Sequence, residues 1–343
     1  MRSSGTPTSK HRGIKNYSTL LRPTEEGVFK KMRLDKYLIS KYPNLSRVYI
    51  KDQVKLGNFL VGGKHVKPSY MLSEDDQVAF APGFSLPEKA VILPNPDIKL
   101  NIIFENDDAI VINKPAGLSV HPRQDKNGLP LLSEINSTLI SGLLSYYPPL
   151  ASVGDPSTSS GQVAIRPGIV HRLDKDTSGV LIIAKNQNSF DWLKKQFKDR
   201  QTNKKYLALA AGRLEEKEGQ IKTLLQRASS DPTRQKVSIG DGKESLTLYK
   251  VIKEFKNYSL LEVSPKTGRL HQIRVHLAHL GHSVAGDAKY GDKRLPILPG
   301  LGRQFLHATE LEIILPDGQK HVFSAPLPED LAATLAALEK ISN

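Results

Sequence analysis

From Ile98 onward, apolar residues arrive in runs of four to six that polar turns separate: "LNIIFE", "AIVINK", "GVLIIAK", "KYLALAA", "SLTLYKVI", "SLLEVS" and "FLHATELEIIL". Runs of that length bounded by turn residues predict strands. Helical patterns lie between only some of them. The spacing therefore predicts an α+β fold, with a mixed, largely antiparallel sheet and helices packed outside it, rather than a doubly wound parallel sheet. Within "KKYLALAAG", residues 204–212, alternation sets Tyr206, Ala208 and Ala210 on one face and Leu207 and Leu209 on the other. The small residues beside the tyrosine leave room above its ring. Residues 139–166, with "YYPP" and "GDPSTSSGQ", read as a long surface loop.

A different pattern precedes that region. Leu34, Tyr37 and Leu38 recur at helical spacing, Pro43 stops the helix, and Ser46 can cap a second helix carrying Val48, Ile50 and Val54. After Gly57 the run "NFLVGG", the Gly62–Gly63 turn and "QVAF" predict two or three small strands. The expected organisation is a basic flexible tail at 1–31, a small α+β domain at 32–80, a linker at 81–97 holding four prolines, a main domain at 98–330 and a C-terminal helix at 331–343.

Charge adds a partner to this picture. The net charge is +14 over 343 residues, and residues 1–80 hold 15 Lys plus Arg against 7 Asp plus Glu, a net of +8. Such a field attracts polyanions, nucleic acid above all. No apolar run of about 18 residues suggests a membrane span, and the first twenty residues lack a secretory pattern, so the expected address is the cytoplasm. Cysteine is absent, which excludes disulfides, thiolate metal sites and a cysteine nucleophile.

Two stretches carry candidate chemistry. In "RPGIVHRLDKDTSGVLIIAKN", two apolar runs bracket His171 to Gly179, a polar stretch with Asp174 and Asp176 beside Arg172 and Lys175. Turn formation would explain a lone aspartate, and Thr177, Ser178 and Gly179 suit a turn. Asp174 lies next to strands that read as buried, and its cationic neighbours can hold it as an ionised nucleophile or base. In "SPKTGRLHQIRVHLAHLGHSVAGD", Leu270, Ile273, Leu277 and Leu280 follow a helical stripe that Gly281 stops. Arg274 falls on the margin of that stripe and needs a carboxylate partner, for which Asp174 is the natural candidate. His271, His276, His279 and His282 point several ways around a helix and lack a metal-ligand arrangement, so structural or RNA-facing roles are expected, without a metal. Tyr206 is either a packed core residue or a platform for a nucleobase.

The strings "RPGIVHRLDKDTSGVLIIAKN", "NKKYLALAAG", "GKESLTLYKV", "TGRLHQIRVHLAHLGHSVAGDAKYGD" and "RQFLHATELEI" resemble, in order and spacing, the RluA-type family of RNA pseudouridine synthases, over about residues 98–330. "RLDKYL…SRVYIKDQVKLGNFLV" resembles an S-four RNA-binding domain. The resemblance implies a cofactor-free isomerase acting on structured RNA, with large-subunit ribosomal RNA the expected substrate. It implies Asp174 as the essential aspartate, Tyr206 as the tyrosine packing on the target base and Arg274 as the aspartate's partner. Arg172, His171, Thr177, Arg269, His271 and Gln272 would contact substrate, and Arg33, Lys36, Ser46, Arg47 and Lys51 would contact RNA. Two rivals stand beside this reading: a non-catalytic RNA-binding ribosome-assembly factor, and a nucleoside hydrolase or glycosidase. The latter needs a second working carboxylate, for which Asp176 is the only nearby option.

Overall fold

The runs after Ile98 hydrogen-bond into one sheet. In the computed structural model the described residues are 20–21, 31–42, 45, 47–86, 92–123, 131–154, 166–231, 233–292 and 298–342. Contacts divide the chain into two compact units, Met1–Ala90 with Arg123–Leu131 and Val91–Pro122 with Leu132–Asn343. No helix among the described residues is long and apolar enough to cross a membrane.

In the first unit, β1 (Leu20–Leu21) is followed by α1 (Leu34–Lys41), α2 (Arg47–Lys55), β2 (Phe59–Val61), β3 (Lys64–His65) and β4 (Val78–Phe80). Gly62 and Gly63 both have positive φ, 53° and 73°, as a two-residue hairpin between Val61 and Lys64 demands. Leu34, Leu38, Ile50, Val54 and Phe59 form the core. Of the expected flexible tail, Leu20–Leu21 instead pair with β4, and the remainder, apart from Lys31, lies outside the described residues, as do Pro43 and Ser46.

The second unit runs β5 (Ile102–Glu105), β6 (Ala109–Lys114), α3 (Leu139–Tyr146), β7 (Ser178–Ala184), α4 (Gln187–Lys198), β8 (Asn203–Ala211), β9 (Glu218–Arg227), β10 (Gln235–Ser238), β11 (Lys243–Glu254), β12 (Tyr258–Pro265), α5 (Gln272–His279), β13 (Leu306–Ile314), β14 (Lys320–Ser324) and α6 (Glu329–Ser342). The strand order is β10-β9-β11-β12-β8-β13-β7-β6-β5, with β14 on β13. Every pairing is antiparallel except β13 with β7. Alternation along β8 sorts its side chains as expected. Ala208 and Ala210, with Tyr206 beside them, pack with Ile273 and Leu277 of α5. Leu209, with Leu207 beside it, packs with Leu331 and Leu338 of α6 on the opposite face. Tyr206 and the Arg274 helix thus share one side of the sheet.

Several expectations need correction. The segment read as a surface loop at 139–166 begins with α3 and a 3-10 turn, Pro148–Ser152, and buries Leu139, Ile140, Leu143, Leu144 and Leu150. Its prolines and tyrosines mask an apolar stripe; 155–165 lie outside the described residues. The linker reading also contracts, because Phe84 and Leu86 pack on the first core, while the Asn95 amide N–H donates to Ser141 O at 2.8 Å and the Leu93 N–H to Asn136 Oδ1 at 2.9 Å. Leu280 lies beyond the end of α5 and is 40% exposed, so the apolar stripe ends at Leu277. Strands β9, β10 and β14 went unread because their largely polar, half-exposed residues do not form an apolar run.

Buried along its whole length, β7 begins where the polar stretch ends. Gly179 has φ 118°, and a Cβ there would lie 2.1 Å from Ala308 O on the parallel partner strand. Gly179→Ala is expected to lower stability by about 2–4 kcal/mol through strain and overpacking, read as a fall in melting temperature; an unchanged melt would show that the β7–β13 approach is loose.

Candidate active site

Asp174 and Arg274 lie a hundred residues apart in sequence; the turn before β7 brings the first to the first-turn face of α5. Arg274 Nη1 donates to Asp174 Oδ2 at 3.0 Å. The same guanidinium is clamped from its other edge, with Nε and Nη2 donating to Asp287 Oδ2 and Oδ1, each at 2.7 Å. Asp287 Oδ1 also accepts from the backbone N–H groups of Lys289 and Tyr290 at 2.8 and 3.1 Å. Burial pushes the Asp287 carboxyl up, but the bonds and charge of Arg274 and these two N–H groups outweigh it and hold the carboxyl low. Burial likewise disfavours the Arg274 cation, yet Asp287 and Asp174 raise its pKa above the ordinary value. The result is one buried guanidinium shared between two carboxylates. Asp174 Oδ1 accepts no hydrogen bond among the described residues.

The turn carrying Asp174 is held largely through its own carbonyls. Thr177 N–H donates to Asp174 O at 3.1 Å, Lys114 Nζ to Lys175 O at 3.0 Å, and Arg303 Nη1 to Asp176 O at 3.0 Å. Lys114 is fully buried at the end of β6 and also donates to Pro115 O and Leu118 O. Burial lowers its ammonium to about 7 against the pull of Asp176 and Asp174. Three carbonyls match the three N–H bonds of the protonated form. Arg303 in turn grips Asp330 of α6 at 2.7 and 3.1 Å, tying the turn to the terminal helix.

Asp174, Thr177 and Arg274 border a cavity of about 810 Å³, ample for a nucleotide. Tyr206 lines it, and burial together with the Asp174 charge raises its phenol pKa. His271 has a left-handed backbone, φ 53°, which turns its ring towards the aspartate, Nε2 lying 3.9 Å from Asp174 Oδ2. Its Nδ1 is 2.8 Å from the Tyr290 hydroxyl, which already accepts from Gln235 N–H. Burial and the Arg274 and Lys289 charges lower His271 to about 4 against Asp174, so the ring is neutral. A phenol donating to Nδ1 leaves Nε2–H facing Asp174. Arg172 is fixed differently: Nη1 donates to His121 Nε2 at 3.0 Å, while His121 Nδ1–H donates to Pro122 O at 2.9 Å. Burial, with Arg166 and Arg172 nearby, lowers His121 to about 3 and keeps it neutral.

Other expected contacts also line the cavity, held by bonds of their own. Gln272 lines the cavity and is also bonded internally: its Oε1 accepts from Thr267 Oγ1 and Arg269 N–H, and its Nε2 donates to Leu246 O and Thr247 Oγ1, at 2.6 to 3.0 Å. Both amide atoms are saturated. His171 forms wall, its Nε2 accepting from Ile182 N–H at 3.1 Å and its ring stacking on Phe197 at 4.4 Å. Thr177 is buried and accepts from Gln304 at 3.3 Å; Arg269 donates to Glu244 O at 3.1 Å; both line the cavity. In the first unit, Lys36 and Arg47 are exposed, whereas Arg33 grips buried Asp35 at 2.8 and 3.0 Å with Lys51 4.0 Å away. Among the described residues no group of His, Asp or Glu is placed to hold a metal ion.

Comparison with known proteins agrees with this geometry. The model of the RNA pseudouridylate synthase family matches residues 108–279, and that of the S4 domain residues 32–78. The chain belongs to the RNA pseudouridine synthase family. It is 36% identical to an uncharacterised RNA pseudouridine synthase of Bacillus subtilis, over 91% of this chain and 95% of the relative. It is equally 36% identical to the ribosomal large subunit pseudouridine synthase D of Xylella fastidiosa, over 90% of each. The solved structure of human RNA pseudouridylate synthase domain containing 1 superposes with a TM-score of 0.52 and 26% identity, covering 73% of this chain and 90% of that one.

This pseudouridine synthase contains four supporting residues that sequence reasoning passed over: Asp287, Lys114, His121 and Tyr290. Asp287 and Tyr290 lie in the quoted string ending "VAGDAKYGD", Lys114 ends the run "AIVINK", and His121 follows it in "PAGLSVHP". Their side chains gave no apolar or polar periodicity that marks them out. Asp287→Asn is expected to reduce turnover about a hundredfold by letting Arg274 drift from Asp174, and to lower stability by about 3–5 kcal/mol. Single-turnover kinetics and a melt check both; a variant that melts lower yet turns over normally would show that Asp287 supports only the fold.

Proposed function

We propose that this protein isomerises specific uridines of large-subunit ribosomal RNA to pseudouridine, with Asp174 as the reacting carboxylate. The observation that carries the reading is the unequal treatment of the two Asp174 oxygens. Arg274 fixes Oδ2 at 3.0 Å, while Oδ1 is left for the substrate in a cavity that Tyr206 also lines. Support for the RNA class comes from relatives named large subunit pseudouridine synthase D, 35–37% identical over about 90% of the chain.

A uridine must leave its stack to enter this cavity, at a cost of a few kcal/mol. Packing on Tyr206 and contacts from Arg172 offset part of it. The carbon–nitrogen bond from ribose to uracil then breaks, the base turns, and carbon-5 bonds to the same ribose carbon. Asp174 serves by removing a ribose proton, which returns to the sugar when the bond re-forms, or by attacking the sugar, the ester being displaced by carbon-5. In both routes the carbon-5 proton is lost, ring nitrogen-1 gains one, and no redox change occurs. A carboxylate with one anchored and one free oxygen is suited to either role.

In the first unit, Lys36 and Arg47 present exposed cations to RNA, while Asp35 pairs with Arg33 at the start of its own helix and with Lys51 of α2, which gives Lys51 a second task in holding α1 against α2. Asp174→Asn is expected to abolish pseudouridine formation, by more than about a thousandfold, with RNA affinity within about threefold because binding and reaction draw on different contacts. Mapping pseudouridines in large-subunit RNA from cells with and without the gene, complemented by this variant, tests reaction and substrate together. An identical map in all strains would refute the ribosomal reading, and full complementation by the variant would refute Asp174.

A further inference from the structure

Most buried or half-buried lysines of the second unit have visible acceptors. Lys114 has its three carbonyls, Lys185 pairs with Glu105 at 2.8 Å, and Lys205 pairs with Glu310 at 2.9 Å. Lys204 differs. It lies two residues before Tyr206 on β8, so both side chains leave the same face of the strand, and both line the cavity. Burial, with the charge of Lys266 beside it, lowers the Lys204 ammonium to about 8. Among the described residues no carboxylate approaches it and its Nζ makes no hydrogen bond; the contact it has is with the ring of Phe197, 6.0 Å from Nζ to centroid.

Lys266, just beyond β12, brings a second ammonium with no carboxylate, its Nζ resting 3.3 Å from Asn203 Oδ1. A desolvated cation without a partner is expensive, and two together repel. Such a pair persists where an anion completes it. The reach from Tyr206 to Lys204, about 6.6 Å along a strand, is one that a single nucleotide spans between its base and its phosphodiester.

We infer that Lys204, backed by Lys266, forms a phosphate subsite for the phosphodiester adjoining the uridine that packs on Tyr206. The inference rests on the proposed function for the identity of that uridine, and on the lysine geometry for the subsite itself. Lys204 is a substrate-binding residue in this scheme and takes no part in bond making.

The test uses the full chain, a labelled oligouridylate of about ten nucleotides, and uridine or uridine 3′,5′-bisphosphate as competitor. Lys204→Met is expected to weaken oligonucleotide binding about tenfold at low salt and to flatten the dependence of log affinity on log salt by about 0.7, the contribution of one phosphate contact on a single strand. The advantage of the bisphosphate over uridine as competitor should shrink by about tenfold, and Lys204→Arg should keep it. Removing an unpaired, half-buried charge should also raise the melting temperature, by about 2–4 °C. An unchanged salt slope with an unchanged bisphosphate advantage overturns the subsite. So does a lower melting temperature with equal loss of uridine and bisphosphate binding, which would make Lys204 a packing residue. Pseudouridine mapping is read separately: intact product formation alongside absent phosphate effects refutes the subsite alone, and absent product alongside intact phosphate effects refutes the proposed function alone.

Discussion

One buried guanidinium organises this protein. Arg274 is almost entirely withdrawn from solvent, where an arginine persists only if carboxylates surround it. Two do, and they are not equivalent. Asp287 is fully buried and accepts four hydrogen bonds, two from Arg274 and two from backbone N–H groups. It sets the orientation of the guanidinium before any substrate arrives. Asp174 receives the one remaining edge, Nη1, and stays 17% exposed to the cavity. The division of labour lets the Asp174 carboxylate be charge-compensated without being immobilised on both oxygens.

The fold serves that arrangement by holding backbone instead of side chain. Around the Asp174 turn, Lys114 and Arg303 donate to main-chain carbonyls, so the loop's position does not consume the carboxylates it presents. Gly179 lets β7 and β13 approach closely enough to bring the turn against Arg303. Behind α5, Gln272 and His276 tie the helix to β9 and β11 through saturated bonds to Thr223, Ser245, Leu246 and Thr247. A helix of eight residues would be marginal alone. Bolted to the sheet, it becomes a rigid mount for Arg274.

What the sequence could reveal follows from the range of each interaction. Strand alternation is local, so the two faces of β8 and the sharing of one face by Tyr206 and the Arg274 helix were legible. The Asp174–Arg274 pairing was legible too, because a charge at the edge of an apolar stripe demands a partner and only one motif offered it. Asp287 was not, since it follows the helix in a turn and looks like any Gly-Asp pair; nothing local says that it will be enclosed. Lys114 is concealed for the same reason, standing at the end of a strand where lysines are usually solvated. Gln272 shows a different limit. An amide next to the key arginine reads as a substrate contact, and its four internal bonds become visible only when β11 is laid beside α5.

The number of free carboxylates separates isomerisation from hydrolysis. Cleaving a glycosidic bond with water uses two carboxyl groups that both remain free to act, one of them on the water or the leaving group. Among the described residues lining the cavity, Asp174 is the one carboxylate, and its Oδ1 is free. Asp287 is saturated and oriented towards Arg274; Asp176 lies in the same turn but outside the cavity lining, its charge turned to the buried Lys114. His271 is neutral and spends Nδ1 on Tyr290, which leaves its Nε2–H to steady Asp174 and no basic nitrogen to activate water. In the proposed reaction, one carboxylate oxygen free beside Tyr206 and no second carboxylate among the described lining residues leave the departing uracil within reach of the sugar it left. Recombination through carbon-5 is then the outcome the geometry favours.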